Sequence, residues 1–219
     1  MSNTNIMNNN LQKLLSAFII IIFCFPGIRS QQVLTESGIK ADEFMVSDNT
    51  ISIHVGDMYG GGVVAWVDES GMHGLILSAI ELSTEQVWSN VERDINDPSR
   101  WKFDGKANSE AIITQPGHLD SAAKLCLDYV NEDYGTGVFS DWYLPAIQEL
   151  KSFLPNYMDI YFALINDNNP ATTPPKVPIW SSTEGITFTA RLFSLNLDDG
   201  NDYEVNKYRK MGVRAVRAF

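Results

Sequence analysis

Cysteine is nearly absent from this chain. Its 219 residues contain two, Cys24 and Cys126. Cys24 lies in a hydrophobic N-terminal run. A chain that loses that run keeps one thiol and has no intramolecular disulfide. Cys126 stands in the helical pattern Ala122-Ala123-Lys124-Leu125-Cys126 with no histidine close by, which fits a small buried apolar residue rather than a thiolate. Histidine is as scarce: His54, His73 and His118 are scattered, and neither Ser181 nor Ser182 has one beside it. No nucleophile–base pair is legible, so catalysis is not expected. Positive charge is also short. Sixteen Lys and Arg face 27 Asp and Glu, a net charge of -11. Such a surface repels nucleic acid and anionic membrane.

Phosphate and metal motifs are missing as well. Gly60-Gly61-Gly62 lacks the following Lys-Ser/Thr of a phosphate loop and precedes a strand, so it predicts a tight backbone approach. Asp198, Asp199, Asn201 and Asp202 crowd oxygens together without EF-hand spacing or a committed glutamate, so a solvated turn is expected. No metal and no cofactor are expected. No repeat or heptad is present.

What is there is globular: 44% hydrophobic and 20% charged residues. A domain of this length buries roughly 70% of its unfolded surface. Leu14 to Phe25 is a nearly apolar run of 12 residues. As a helix it spans about 18 Å, short of the roughly 30 Å hydrocarbon core. Lys13 precedes it, Pro26-Gly27 breaks it, and Ser30 offers a small residue before Gln31. Residues 1–30 therefore read as a secretory signal peptide, the only membrane-directed segment. Without Lys13 and Arg29 the remainder has 14 basic against 27 acidic residues, a charge of -13. Residues 31–55 read as a spacer ending in a short strand near Ile51 to Val55. One domain follows, 56–219.

Within that domain Val63–Val67 and Leu75–Leu77 flank Asp68-Glu69-Ser70-Gly71, a hairpin pattern. Residues 81–107 read as a long polar loop with room for a helical turn. A short helix is expected from Asn108 to Ile113, and a second behind a cap at Asp120 or a neighbour, with Ala122, Cys126, Tyr129 and Val130 on one face. Asp141-Trp142-Tyr143-Leu144-Pro145 reads as a loop entering the core and turning into a helix. Pro145 suits the first helical position, and Ile147, Leu150 and Leu154 repeat at helical spacing. Tyr157, Tyr161, Leu164 and Ile165 mark one more helix. Asn169 to Pro178 holds four of the nine prolines and reads as an extended loop. Ile179–Ser182, Phe188–Leu197, Tyr203–Val205 and Val213–Phe219 read as strands, with Asp199-Gly200 as a hairpin turn. Strands at both ends with helices between predict an α+β domain whose terminal strands pair in one antiparallel sheet.

Seven segments occur in a suggestive order. They are Gly56-Asp57 before Gly61-Gly62, His73-Gly74-Leu75, Ala107-Asn108 before Ala111-Ile112, Ala122-Ala123 before Cys126, Asp141–Pro145 before Glu149-Leu150, Trp180-Ser181-Ser182-Thr183-Glu184, and Val213–Arg217. Over roughly Gly56 to Phe219 the series resembles the Lcl C-terminal-domain family. The resemblance implies a C-type-lectin-like fold, with short helices and long irregular loops, and a non-enzymatic module that binds sulfated glycans. An exported adhesion or envelope protein is the expected setting, in the periplasm, at the outer surface or secreted. Its expected partner is a glycan or a cell-surface protein; the alternative is a structural assembly domain with no small ligand.

Candidate ligand residues follow from chemistry. Trp88 and Trp101, in the polar stretch, are candidates for stacking on sugar rings. Lys207, Arg209 and Lys210 are candidates for an anion site, since cations gathered on an acidic chain suit sulfate or carboxylate. Arg214 and Arg217 complete five basic residues within 11 positions. Their expected role is pairing inside the sheet, with Glu184 or Glu149 as partners. Asp141, Trp142, Tyr143, Leu144, Pro145, Trp180, Ser181, Ser182 and Glu184 are expected to be structural.

Overall fold

The computed structural model describes residues 52–95, 102–133, 137–176, 178–194 and 202–219. The leader, all but the last four residues of the spacer, Trp101, and the turn containing Asp198, Asp199 and Asn201 lie outside the described residues.

In chain order the first strands are β1 (Met58–Tyr59), β2 (Gly62–Val67), β3 (Gly74–Ser78) and β4 (Ser83–Val87). Helices α1 (Gly105–Ile113) and α2 (Ala122–Leu127) follow, then the ribbon β5 (Asn131–Asp133) and β6 (Gly137–Phe139). Next come α3 (Ile147–Ser152), a 3-10 turn (Leu154–Asn156) and α4 (Tyr157–Asn166). The chain ends with β7 (Ile179–Glu184), β8 (Thr189–Phe193), β9 (Asp202–Asn206), β10 (Lys210–Val213) and β11 (Val216–Ala218). The domain is α+β, and its N- and C-terminal strands share an antiparallel sheet of order β1-β2-β3-β11.

The hairpin β2–β3 forms because Val63, Val64 and Ala65 are all buried while the turn is polar. Asp68 organises that turn: its N–H donates to the His73 carbonyl (2.8 Å), and its carboxylate accepts from the Ser70 N–H (3.1 Å). Gly62 sits where an added Cβ would lie 2.0 Å from the Leu77 carbonyl oxygen, the close approach the glycine run predicts. A bulge between Val64 and Trp66 turns Trp66 toward solvent.

The second sheet has the order β4-β10-β7-β8-β9. Among the described residues only β10 and β7 pair in parallel, through Gly212 and Ile179. The single terminal strand expected from Val213 to Phe219 is in fact two. β10 lies inside the second sheet between β4 and β7, Arg214-Ala215 crosses over, and β11 joins the first. The crossover is fixed by Leu82 N–H donating to the Val213 carbonyl and Ser78 N–H donating to that of Ala215, both 2.9 Å.

Three further expectations are corrected. Residues 52–55 form no strand; the first is β1. The stretch 81–107 is not all loop, because Ser83–Val87 pairs with β10. As a half-exposed edge strand it shows no apolar alternation. Helix α1 starts earlier than Asn108, since Asp104 caps it by accepting from the Ala107 N–H (2.9 Å). The cap expected at Asp120 or a neighbour falls on Ser121, which accepts from the Lys124 N–H (2.9 Å). Among the described residues no helix is long and apolar enough to cross a membrane.

Trp88, Trp142 and Trp180 lie in one buried core with Val64, Ile112 and Leu144. A second cluster gathers Ala65, Leu77, Ile147, Leu150, Ile160 and Leu164. Helix α4 buries Ile160 and Leu164 and leaves Met158, Phe162 and Ile165 about half exposed. The opposite stripe at i, i+4 and i+7 is thus also apolar.

Candidate functional site

The stretch Asp141–Pro145 lies along β11 like a further strand. Tyr143 N–H donates to the Val216 carbonyl (2.9 Å), and Val216 N–H donates back (3.0 Å). Trp142 is fully enclosed, with its indole N–H shared between Asn131 Oδ1 (3.1 Å) and the Phe139 carbonyl (3.2 Å). Leu144 N–H donates to Ser109 Oγ (3.0 Å). Pro145 is not the first helical residue. Its carbonyl accepts from Ser182 N–H (2.8 Å), and α3 begins two residues later at Ile147.

Glu149 gathers this region. Its carboxylate accepts from Ala146 N–H (2.7 Å) and Tyr143 Oη–H (3.1 Å). Burial pushes its pKa up to about 7, opposed by those donors and reinforced by Asp104. Tyr143 is raised too, by burial first and by Glu149 second. Arg217 is Asp141's partner: Nε lies 2.7 Å from Oδ1 and Nη2 lies 3.0 Å from Oδ2. That bond holds Asp141 below the usual carboxylate range. The guanidinium also lies 4.1 Å from the Phe139 ring centroid.

Arg214 is fully buried and its hydrogen bonds go to oxygens other than Glu184 or Glu149, the acids expected from the sequence. It donates to the carbonyls of Ser78 (2.7 Å), Thr173 (2.5 Å) and Pro174 (3.1 Å). Burial lowers its pKa to about 10. It therefore clamps the proline-rich loop to the end of β3.

Glu184 is taken by Lys207. The ammonium lies 2.5 Å from Glu184 Oε1 and 4.8 Å from the Trp88 ring centroid, and it donates to the Arg93 carbonyl (3.0 Å). Burial raises the Glu184 pKa, while the Lys207 hydrogen bond and charge oppose the shift. Two ligand candidates fall here. Trp88 is no exposed stacking platform: it is fully buried, and its indole N–H donates to the Ser181 carbonyl (2.8 Å). Lys207 is no surface cation: it is sealed between Trp88 and Glu184. The remaining motif residues are buried as well. Trp180 Nε1–H donates to the Gln86 carbonyl (2.8 Å), Ser181 Oγ–H to that of Arg191 (2.7 Å), and Ser182 Oγ accepts from Asn108 Nδ2–H (3.1 Å).

Past that peg the chain turns back into solvent. Lys207 N–H donates to the Phe188 carbonyl (3.0 Å), and its own carbonyl accepts from Trp88 N–H (2.8 Å). Tyr208, Arg209 and Lys210 are exposed. The turn is closed by Arg209 N–H donating to the Asn206 carbonyl (2.9 Å), and Asn206 Nδ2–H donates to Tyr208 Oη (2.8 Å). Lys210 stands 3.7 Å from Glu85, an exposed pair worth little. Phe188, also exposed, adjoins the turn through its carbonyl.

A groove of about 380 Å³ went unseen in the sequence. One wall is the loop Val91–Ile95; the other is the C-terminal end of α1 with Thr114, Gln115 and Pro116. Gln115 Nε2–H ties the walls together by donating to the Arg93 carbonyl (3.0 Å). No composition or spacing signal marks these residues, a mix of polar and apolar groups brought together by tertiary contact. Among the described residues no group of three or more His, Cys, Asp or Glu is placed to hold a metal. No family model matches the chain, and no curated protein matches it.

Proposed function

We propose that this chain is an exported, non-enzymatic binding module with a C-type-lectin-like fold, and that it takes an anionic glycan on the turn Tyr208–Lys210. The fold reading rests on the C-terminal strand β11 paired with β3 in the sheet of the N-terminal strands, the short helices and the long irregular connections. The resemblance to the Lcl C-terminal-domain family supports the same reading. Export rests on the apolar run Leu14–Phe25, and intact mass of protein from its native envelope tests it. One observation carries the ligand reading. Lys207 is pegged into the core, so the next three residues present a phenol and two cations outward on a fixed backbone. Guanidinium and ammonium groups meet sulfate or carboxylate, and the aromatic ring meets the apolar face of a pyranose. The test is retention on immobilised heparin or fucoidan at low salt. The wild type is retained and an Arg209→Ser/Lys210→Ser variant elutes with the void. Equal retention of both, or none by the wild type, rejects the site.

A structural or assembly role is the second reading, favoured by the apolar stripe Met158, Phe162 and Ile165 on α4. Contiguous apolar surface left open on a helix is the kind of face a partner covers. Heparin retention lost with Arg209 and Lys210 favours the first reading; unchanged retention with concentration-dependent mass favours the second.

A further inference from the structure

We infer that the groove between the Val91–Ile95 loop and the end of α1 is a second ligand site, built for a neutral saccharide residue. Its volume of about 380 Å³ falls within the ordinary range for small-molecule sites. Its walls are held rigid from behind. The Arg93 carbonyl accepts from both Gln115 Nε2–H and the buried Lys207 ammonium, each at 3.0 Å. Glu184 accepts from Ile95 N–H, at 3.3 Å to one oxygen and 3.2 Å to the other. Asn90 fastens the far end. Its Nδ2–H donates to the Gly117 carbonyl (2.9 Å), and its Oδ1 accepts from Leu119 N–H (2.8 Å) and Asp120 N–H (3.0 Å). A groove fixed by side-chain bonds loses little entropy on binding.

The lining decides the ligand class. Val91, Ile95 and Pro116 supply apolar surface, as the C–H face of a sugar ring requires. Arg93 is exposed and brings a guanidinium with five donors, while Gln115 on the facing wall keeps a buried Oε1 that has no hydrogen-bond partner among the described residues. The Thr114 hydroxyl donates to the Ala111 carbonyl (3.0 Å), which leaves its oxygen able to accept from a ligand hydroxyl. Donors and acceptors side by side suit vicinal hydroxyls. Charge argues for neutrality: the lining carries one cation, Arg93, and one acid, Asp94, whose side chain is hydrogen-bonded to Glu184 beside Lys207. The chain's overall charge of -11 further disfavours an acidic guest. The inference extends the saccharide-binding reading but uses different residues, so the two stand or fall separately.

The test is amide chemical-shift mapping of the full chain with methyl mannoside, galactose, N-acetylglucosamine and glucuronate at millimolar concentration. At least one neutral sugar is expected to shift Ala111, Thr114 and Gln115 amides, with glucuronate weaker. Arg93→Ala removes only the side chain, because the wall bonds use the backbone carbonyl. It is expected to weaken binding roughly tenfold or more while leaving heparin retention unchanged. Thr114→Ala is the second variant, at an exposed helix end. Absence of shifts from every sugar, stronger binding of glucuronate, or no loss in either variant overturns the inference.

Discussion

Lys207 Nζ lies 2.5 Å from Glu184 Oε1, and neither side chain is exposed to solvent. A pair so enclosed has given up its hydration on both sides. What remains is each charge's dependence on the other. Removing one partner strands a buried ion, which costs about 3–5 kcal/mol. Lys207→Ala is therefore expected to lower stability by that amount in urea denaturation. Lys207→Met/Glu184→Gln removes both charges, and its glutamine can still accept from Ile95 N–H. The double variant should cost less than the two single changes combined. Strict additivity would show that the pair is not coupled.

Trp142 tests the packing around β11. The ring is enclosed, and its N–H is bonded to Asn131 and Phe139. Trp142→Ala leaves a cavity and two acceptors short of a donor, a loss of about 3–5 kcal/mol. Against a total of roughly 5–15 kcal/mol the melting temperature should fall sharply. A variant melting with the wild type would mean that the ring contributes nothing to the core.

Trp142 and Trp180 were legible as structural because each stands with aromatic or apolar residues beside a turn or helix signal. The hairpin β2–β3 was legible from valine-rich strands around Asp68–Gly71. Trp88 and Lys207 were misread for one reason. Each is surrounded in sequence by polar residues, and only long-range contact hides them: Trp88 reaches Ser181, and Lys207 reaches Glu184. Strand β4 was missed because an edge strand with one wet face needs no apolar alternation. The groove was invisible because its walls are more than a dozen residues apart and carry no chemical signature of their own.

Glu149 sets a pH dependence. Its pKa of about 7 in the fold stands above the ordinary 4.5. Between those values the native chain holds a proton that the unfolded chain has released. Stability from this group is then fully present below 4.5 and is lost as pH rises through 7. Chemical denaturation at pH 5 and pH 8 should show the difference. Glu149→Gln keeps an acceptor for Ala146 N–H and removes the titration, so its stability should vary less over that window. A wild-type profile that rises through the same range would reverse the sign.

Arg209 and Lys210 should separate binding from folding, where Lys207 cannot. All three are cations within four positions, but Lys207 is fully buried and the other two are exposed. Exposed substitutions usually change stability by no more than about 0.5 kcal/mol. Arg209→Ser/Lys210→Ser should thus melt with the wild type and lose heparin retention. Lys207→Ser should melt far lower, and any retention it loses should follow unfolding. Salt gives an independent check. Screening length falls from about 30 Å at 0.01 M to about 8 Å at 0.15 M. Two cations on a chain of net charge -11 cannot hold a polyanion strongly, so retention should vanish well before high salt. Retention that persists in high salt, or survives in the double serine variant, would place the contact elsewhere and shift the weight to apolar docking through α4.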